Sequence, residues 1–156
     1  MKWFDPVGLA IIAVIMVLNV VFAIKHKDGF ENKYNNKTLE LFEQISRFSC
    51  FILTIVSPPF LRFGFWFEGG QVAYIALSAT LVALYCLFWV IFRKESSVRK
   101  SLALSITPSL VFIESGVLNL NVLLIVAAVV FSYCHVMLSY KNAELTEKEE
   151  REKNNF

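Results

Sequence analysis

Residues 39–63 read LELFEQISRFSCFILTIVSPPFLRF, and this stretch decides the fold because it combines membrane-length hydrophobicity with charge. Its first half carries the acid Glu43, the amide Gln44 and the guanidinium of Arg47. Ionisable groups inside a spanning helix are costly, so they are rare and are usually paired or face a cavity. We therefore predict a spanning helix over 39–63, around which the other helices pack, with the double proline at 58–59 kinking or ending it.

The composition is that of an integral membrane protein. Of the 156 residues, 56% are hydrophobic and 18% are charged, whereas about 25% of residues are charged in an average soluble domain. The formal net charge of +2 is too small to indicate nucleic-acid binding. Cys50, Cys86 and Cys134 lie isolated in apolar runs, so we interpret them as free thiols. The sequence predicts no metal site and no cofactor.

Long apolar runs recur along the chain and predict an all-α bundle of five transmembrane helices. The runs cover residues 7–24, 39–63, 71–92, 101–118 and 120–140. Even the 18 residues of 7–24 rise about 27 Å as a helix, which is enough to cross a bilayer core. We predict a five-span bundle over 1–140 and a charged cytoplasmic tail over 141–156 that continues the last helix. Run 101–118 is short and contains Pro108, so four spans plus a re-entrant segment is the alternative.

The cations predict how the bundle is oriented. The segments 25–37 and 93–100 and the tail carry lysines and arginines, whereas the segments 62–70 and 114–121 contain only Arg62. Cytoplasmic segments carry the excess of positive charge, so the N-terminus is expected outside and the C-terminus in the cytoplasm of a multi-pass cell-membrane protein. A tight turn between the fourth and fifth spans is predicted at Glu114-Ser-Gly116 and Asn119.

Polar side chains concentrate near the cytoplasmic ends of the predicted spans. The outer halves look nearly purely aliphatic and aromatic, apart from Glu114 and boundary asparagines. This pattern predicts a polar pocket in the cytoplasmic half. Six residues are its candidate ligand-binding residues: Asn19, Glu43, Gln44, Arg47, Tyr85 and His135.

The chemistry of these residue types suits a small anionic or amphipathic ligand. Glu43 and Arg47 stand at i,i+4 and can pair, which lowers the cost of holding either charge in a membrane. The planar guanidinium of Arg47 can also take a carboxylate or a phosphate, and His135 can exchange a proton near neutral pH. The structural alternative is that Arg47 extends to the lipid headgroups and that Asn19 and His135 only join helices.

Three functions are compatible with the sequence. The leading hypothesis is binding, with possible transport, of such a ligand. Five spans are few for a complete carrier, so a homo-oligomer or a partner membrane subunit is expected. The second is an accessory or immunity-type subunit acting through helix contacts along Ala76, Ala79 and Ala83. The third is a membrane enzyme using Glu43 or His135 for proton transfer. Known hydrolase and nucleotide motifs are absent, so no catalytic residue is predicted.

Four stretches carry a resemblance to known proteins. They are FAIKHKDGFENKYNNK at 22–37, EQISRFSCF at 43–51, ALSITPS at 103–109 and SYKN at 139–142. In these stretches the chain resembles small multi-span bacterial membrane proteins with no assigned activity. The resemblance implies a cell-membrane protein in contact with lipids, and it brings no catalytic residues with it.

Overall fold

A computed structural model describes residues 3–25, 33–56, 58, 60, 62–92 and 97–154, with only the backbone at 22, 23, 25 and 154. The described residues form five helices and no strand, so the all-α prediction is confirmed. The helices are α1 (Pro6–Lys25), α2 (Lys37–Ile55), α3 (Gly70–Ile91), α4 (Val98–Leu118) and α5 (Val122–Asn154).

Three of the five helices are long and apolar enough to cross a membrane. They are α3, α4 and α5. The apolar part described for α1 is shorter, at Pro6–Val21. Helix α2 begins with Lys37 and carries three further charged residues, Glu40, Glu43 and Arg47. Length and composition therefore support three spans, where the sequence predicted five.

Helix α2 is shorter than the predicted helix over 39–63. It begins after Asn36, whose side-chain oxygen accepts from the Leu39 N–H at 3.1 Å, as an N-cap does. It ends at Ile55, and Val56 is extended. Of the two effects expected of the double proline, a kink or an end, the end is observed, because α2 stops three residues before Pro58 and does not reach residue 63.

Helix α4 is continuous through Pro108. The hydroxyls of Thr107 and Ser109 donate to the carbonyls of Ala103 and Ser105, one turn earlier, at 2.7 and 2.8 Å. Such hydroxyl bonds help a helix to continue past a proline, which has no N–H to donate. The tight turn predicted at Glu114-Ser-Gly116 was wrong, since these residues lie inside α4 and the turn follows at 119–121. A Cβ at Gly116 would lie 3.0 Å from the Ile125 nitrogen, so the glycine serves close packing of α4 on α5. A continuous helix of 21 residues gives no support to a re-entrant segment.

The helices are arranged as a closed ring. Helices α4 and α5 form a hairpin, α2 packs against α5, α3 packs against α4, and α1 closes the ring between α2 and α3. At the α1–α2 contact a Cβ on Gly8 would lie 2.2 Å from the Thr54 carbonyl oxygen, so only glycine fits there. The apolar core inside the ring comprises two clusters, one around Cys50, Phe112, Leu124 and Phe131 and the other around Ile15, Tyr74, Tyr85 and Val111.

Helix α2 has its polar face inside and its apolar face outside. Its exposed face carries side chains that are 56–61% exposed, at Leu41, Ile45, Phe48 and Ile52. Its buried residues are Glu43, Ser46, Cys50 and Thr54. The other helices also expose large apolar side chains, such as Val72 and Val90 on α3. An apolar surface of this extent is not found on soluble monomers and is the one expected in lipid.

The two ends of the bundle differ in chemistry. We name residues 33–37, 97–100 and 141–154 the basic end. Lys33 Nζ lies 2.6 Å from Glu149 there, and the Val98 N–H donates to Glu147 at 2.9 Å. The predicted continuation of the last helix into the tail is confirmed to Asn154. Residues 26–32 and 93–96 of the predicted cation-rich segments lie outside the described residues.

We name residues 3–5, 62–67 and 119–121 the aromatic end. The loop 62–67 is attached to the α4–α5 turn, because the Phe63 N–H donates to the Leu120 carbonyl at 3.4 Å and Trp66 Nε1 donates to the Val117 carbonyl at 2.6 Å. Helix α2 therefore runs from the basic to the aromatic end, and α5 runs back.

Candidate functional site

Helices α2 and α5 bring together three of the six predicted site residues around one carboxylate oxygen. Glu43 Oε1 accepts from Arg47 Nε at 3.0 Å and also from Arg47 Nη2. His135 Nδ1 lies 2.9 Å from the same oxygen. The His135 ring stacks on Phe131, with centroids 4.7 Å apart and planes 17° from parallel. We name Glu43, Arg47 and His135 the carboxylate cluster.

Helix register explains why these side chains meet. Glu43 follows Lys37 by six residues and His135 precedes Lys141 by six residues. Both therefore lie about 9 Å along their helices from the cations of the basic end. Because α2 and α5 run in opposite directions, this places the two side chains at one level. Arg47 is one turn further along and on the same face as Glu43.

Burial and charge differ among the three groups. The Glu43 side chain is 4% exposed, His135 is 23% exposed and Arg47 is 41% exposed. The acid is thus enclosed, while the guanidinium lies at the edge of the helix pair. Two groups able to carry positive charge share a single carboxylate. With His135 protonated the cluster has a net charge of +1, so it has the charge to accept one further anion.

The other three predicted residues lie elsewhere. The Tyr85 hydroxyl on α3 donates to Asn19 Oδ1 on α1 at 2.6 Å, and Tyr85 is buried. Gln44 is exposed on α2. The hydrogen bonds of the described residues therefore join the candidates into the carboxylate cluster and a separate Asn19–Tyr85 pair. Ligand binding by any of them stays a prediction.

The aromatic end holds a second set of buried polar groups that the sequence did not reveal. Asp5 Oδ1 caps α1 by accepting from the N–H groups of Val7 and Gly8, and Asp5 Oδ2 lies 3.4 Å from Arg62 Nη1. Arg62 Nη2 also donates to Asn119 Oδ1. The expectation of a nearly apolar outer half was therefore wrong, because groups from segment ends fold back onto the bundle.

Helices α3 and α4 add a buried acid to this end. Ser78 donates its hydroxyl hydrogen to Glu114 Oε1, and Glu114 is only 9% exposed. The sequence signal was the i,i+4 spacing of Tyr74 and Ser78, which places two hydroxyls on one face of α3. The residue types of Glu114-Ser-Gly116 predict a turn, so the sequence predicts no partner for Glu114 on α3.

Neither end has the residue set of a conventional metal site. Among the described residues, no group of three or more His, Cys, Asp or Glu side chains is placed to hold a metal ion. The cysteines are free thiols, with Cys50 and Cys134 buried.

Comparison of the chain with models of known protein families, with curated proteins and with solved structures found no match. The resemblance to small multi-span bacterial membrane proteins stays a prediction. Functional proposals for this chain rest on the residues described above.

Proposed function

We propose that all five helices cross the membrane, with the basic end in the cytoplasm. Helix α2 has charged residues within its apolar run and still supports a spanning position. Its aliphatic and aromatic side chains point outward, where lipid would lie, and its acid Glu43 points inward. The ring closed by α1 supports the fifth span. The cations of the described basic end support the orientation under the positive-inside rule.

Two single-cysteine variants test the orientation. In a chain whose three native cysteines are replaced by alanine, Asn154→Cys marks the basic end and Glu68→Cys marks the aromatic end. A membrane-impermeant maleimide added to intact cells should label Glu68→Cys, and label Asn154→Cys only after permeabilisation. The reverse pattern would overturn the orientation, and labelling of both in intact cells would overturn the odd number of spans.

We further propose that the carboxylate cluster binds a small anionic or amphipathic ligand. One observation carries this proposal: two groups able to hold positive charge share one carboxylate oxygen, and the Arg47 side chain is 41% exposed. Its planar donor fork suits a carboxylate or a phosphate.

The competition between Glu43 and the ligand for Arg47 gives a sharp test. The probes are a fatty acid, inorganic phosphate and sulfate, and the measurement is thermal stabilisation of the purified protein. Glu43→Gln leaves Arg47 without its competing charge, so a probe that binds should do so several-fold more tightly. Adding Arg47→Ala to that variant should abolish the effect.

Arg99→Ala is the matched control, because Arg99 is an exposed arginine at the basic end of α4. It should leave the stabilisation by the probes unchanged. Equal stabilisation of Glu43→Gln with and without Arg47 would remove Arg47 from the site. Native mass spectrometry of the detergent-purified protein would then identify any small molecule that co-purifies.

A second candidate function is lateral contact with another membrane helix. Ala76, Ala79 and Ala83 are all exposed on α3, and small residues at this spacing let helices approach closely. Ala79→Leu should abolish co-purification of a membrane partner or of a second copy. Ala13→Leu, an equally sized change at an exposed alanine of α1, should preserve it. Loss with both variants, or with neither, would contradict a contact through this face.

A further inference from the structure

The α3–α4 interface near the aromatic end holds a buried acid without a charged partner. Glu114 Oε1 accepts from the Ser78 hydroxyl. Glu114 Oε2 is buried and has no hydrogen-bond partner among the described residues. Glu114 lies four residues, about 6 Å of helix, from the last residue of α4. The acid is therefore inside the bundle but close to one surface.

Two neighbouring hydroxyls do not supply Glu114 Oε2 with a donor. The Tyr74 and Ser115 hydroxyls are buried and interact with each other, and within the described part of the chain neither is hydrogen-bonded to Glu114. Tyr74 precedes Ser78 by one turn of α3, and Ser115 follows Glu114 on α4, so both belong to the same interface. Glu114 Oε2 therefore remains a buried carboxylate oxygen without a donor, whereas buried polar atoms are normally hydrogen-bonded.

The surrounding charges do not supply that donor. The charged and titratable groups that act on Tyr74 are Asp5, Arg62 and Glu114. Arg62 is the one described cation among them, and it is engaged by Asp5 and Asn119. An isolated carboxylate in an apolar interior is costly, and such a group is neutralised by taking up a proton.

We propose that Glu114 is a proton-binding site. The carboxylate takes a proton from hydronium at the aromatic end, releases water, and carries the proton on Oε2. Oε1 then remains the carbonyl oxygen that accepts from Ser78. One proton thus cancels the charge of a buried carboxyl group that has no charged partner among the described residues. This site is separate from the carboxylate cluster, in which Glu43 has two partners.

Infrared spectroscopy of the full-length protein in lipid nanodiscs at neutral pH tests the proposal. A neutral carboxylic acid has a carbonyl stretching band that shifts to lower frequency in D₂O, and carboxylates lack it. The wild-type protein should show this band. Glu114→Gln should lose it, and Glu43→Gln, the matched control at another buried acid, should keep it.

Ser78→Ala provides a second readout that leaves Glu114 in place. Loss of the hydrogen bond to the carbonyl oxygen should raise the frequency of the band, and Ser78→Thr, which keeps the hydroxyl, should leave the frequency near the wild-type value. This assigns the band even if Glu114→Gln does not fold. Absence of the band would overturn the proposal. A band that persists in Glu114→Gln and keeps its frequency in Ser78→Ala would also overturn it. Loss of the band on replacing K⁺ with Na⁺ would also overturn it, since the site would then take a sodium ion.

Discussion

Removing Arg47 should destabilise the protein more than removing the charge of its partner Glu43. The two groups differ in burial: the Glu43 side chain is 4% exposed and the Arg47 side chain is 41% exposed. Arg47→Met leaves a buried carboxylate with His135 as its remaining described partner. Glu43→Gln leaves a guanidinium that already has access to the surface of the bundle, and glutamine keeps an acceptor oxygen for it.

The magnitudes follow from these contacts. Removing one partner of a buried ion pair costs about 3–5 kcal/mol. The lower end applies to Arg47→Met because His135 still lies 2.9 Å from Glu43 Oε1, so we expect a loss of about 3 kcal/mol. For Glu43→Gln we expect about 1 kcal/mol, the net value of one ordinary hydrogen bond. The double variant has no unpaired buried charge and should lose only about 2 kcal/mol, so the coupling free energy is about 2 kcal/mol.

Equilibrium unfolding in mixed micelles, driven by sodium dodecyl sulfate, measures the free energy of each variant. Arg99→Met at the basic end is the matched control and should change the free energy of unfolding little, because Arg99 is exposed. Additive losses in the double variant would mean that the two side chains do not interact. A larger loss for Glu43→Gln than for Arg47→Met would mean that the buried charge has been assigned to the wrong residue.

Three further predictions concern the frame around the site. Gly8→Ala places a Cβ about 2 Å from the Thr54 carbonyl oxygen, so the free energy of unfolding should fall by about 1–3 kcal/mol. Asn36→Ala removes the cap of α2 and should cost about 1 kcal/mol in the same assay, with Asn36→Ser restoring most of it. Lys33 holds the pKa of Glu149 below its usual range through their hydrogen bond, so the pair stabilises fully above the ordinary glutamate pKa and its contribution is lost as the pH falls through the lowered pKa. Lys33→Ala should therefore lower the melting temperature slightly at low salt and neutral pH, and this difference from the wild-type protein should disappear at acidic pH.

The sequence predicted those features that helix geometry alone determines. An i,i+4 spacing brings Glu43 and Arg47 together on any helix, so their contact needed no knowledge of the fold. The levels of Glu43 and His135 followed from counting residues to the nearest cations. Asparagine is a residue type that N-caps prefer, so the Asn36 cap also depends on local sequence. Each of these is a local property.

Features that depend on packing were not predictable in this way. Ser78 and Glu114 are 36 residues apart, and Arg62 and Asn119 are 57 apart, so no spacing rule connects them. The run Glu114-Ser-Gly116 has the residue types of a turn, yet it is helical, because Gly116 lets α4 approach Ile125. A glycine that serves packing and a glycine that breaks a helix look the same in one sequence.

The buried acids of the described residues show how the bundle handles charge in an apolar setting. Asp5, Glu43 and Glu114 are the buried carboxyl groups there, and an unpaired carboxylate is too costly to keep in such surroundings. Glu43 is balanced by an arginine on its own helix, and Asp5 by an arginine from a loop that packs over it. Glu114 has a serine hydroxyl instead, which stabilises a charge but does not cancel it. By the same requirement, the charge that Glu114 lacks is supplied by a proton, which is why the proton-binding site is proposed at the α3–α4 interface and not at Asp5 or Glu43.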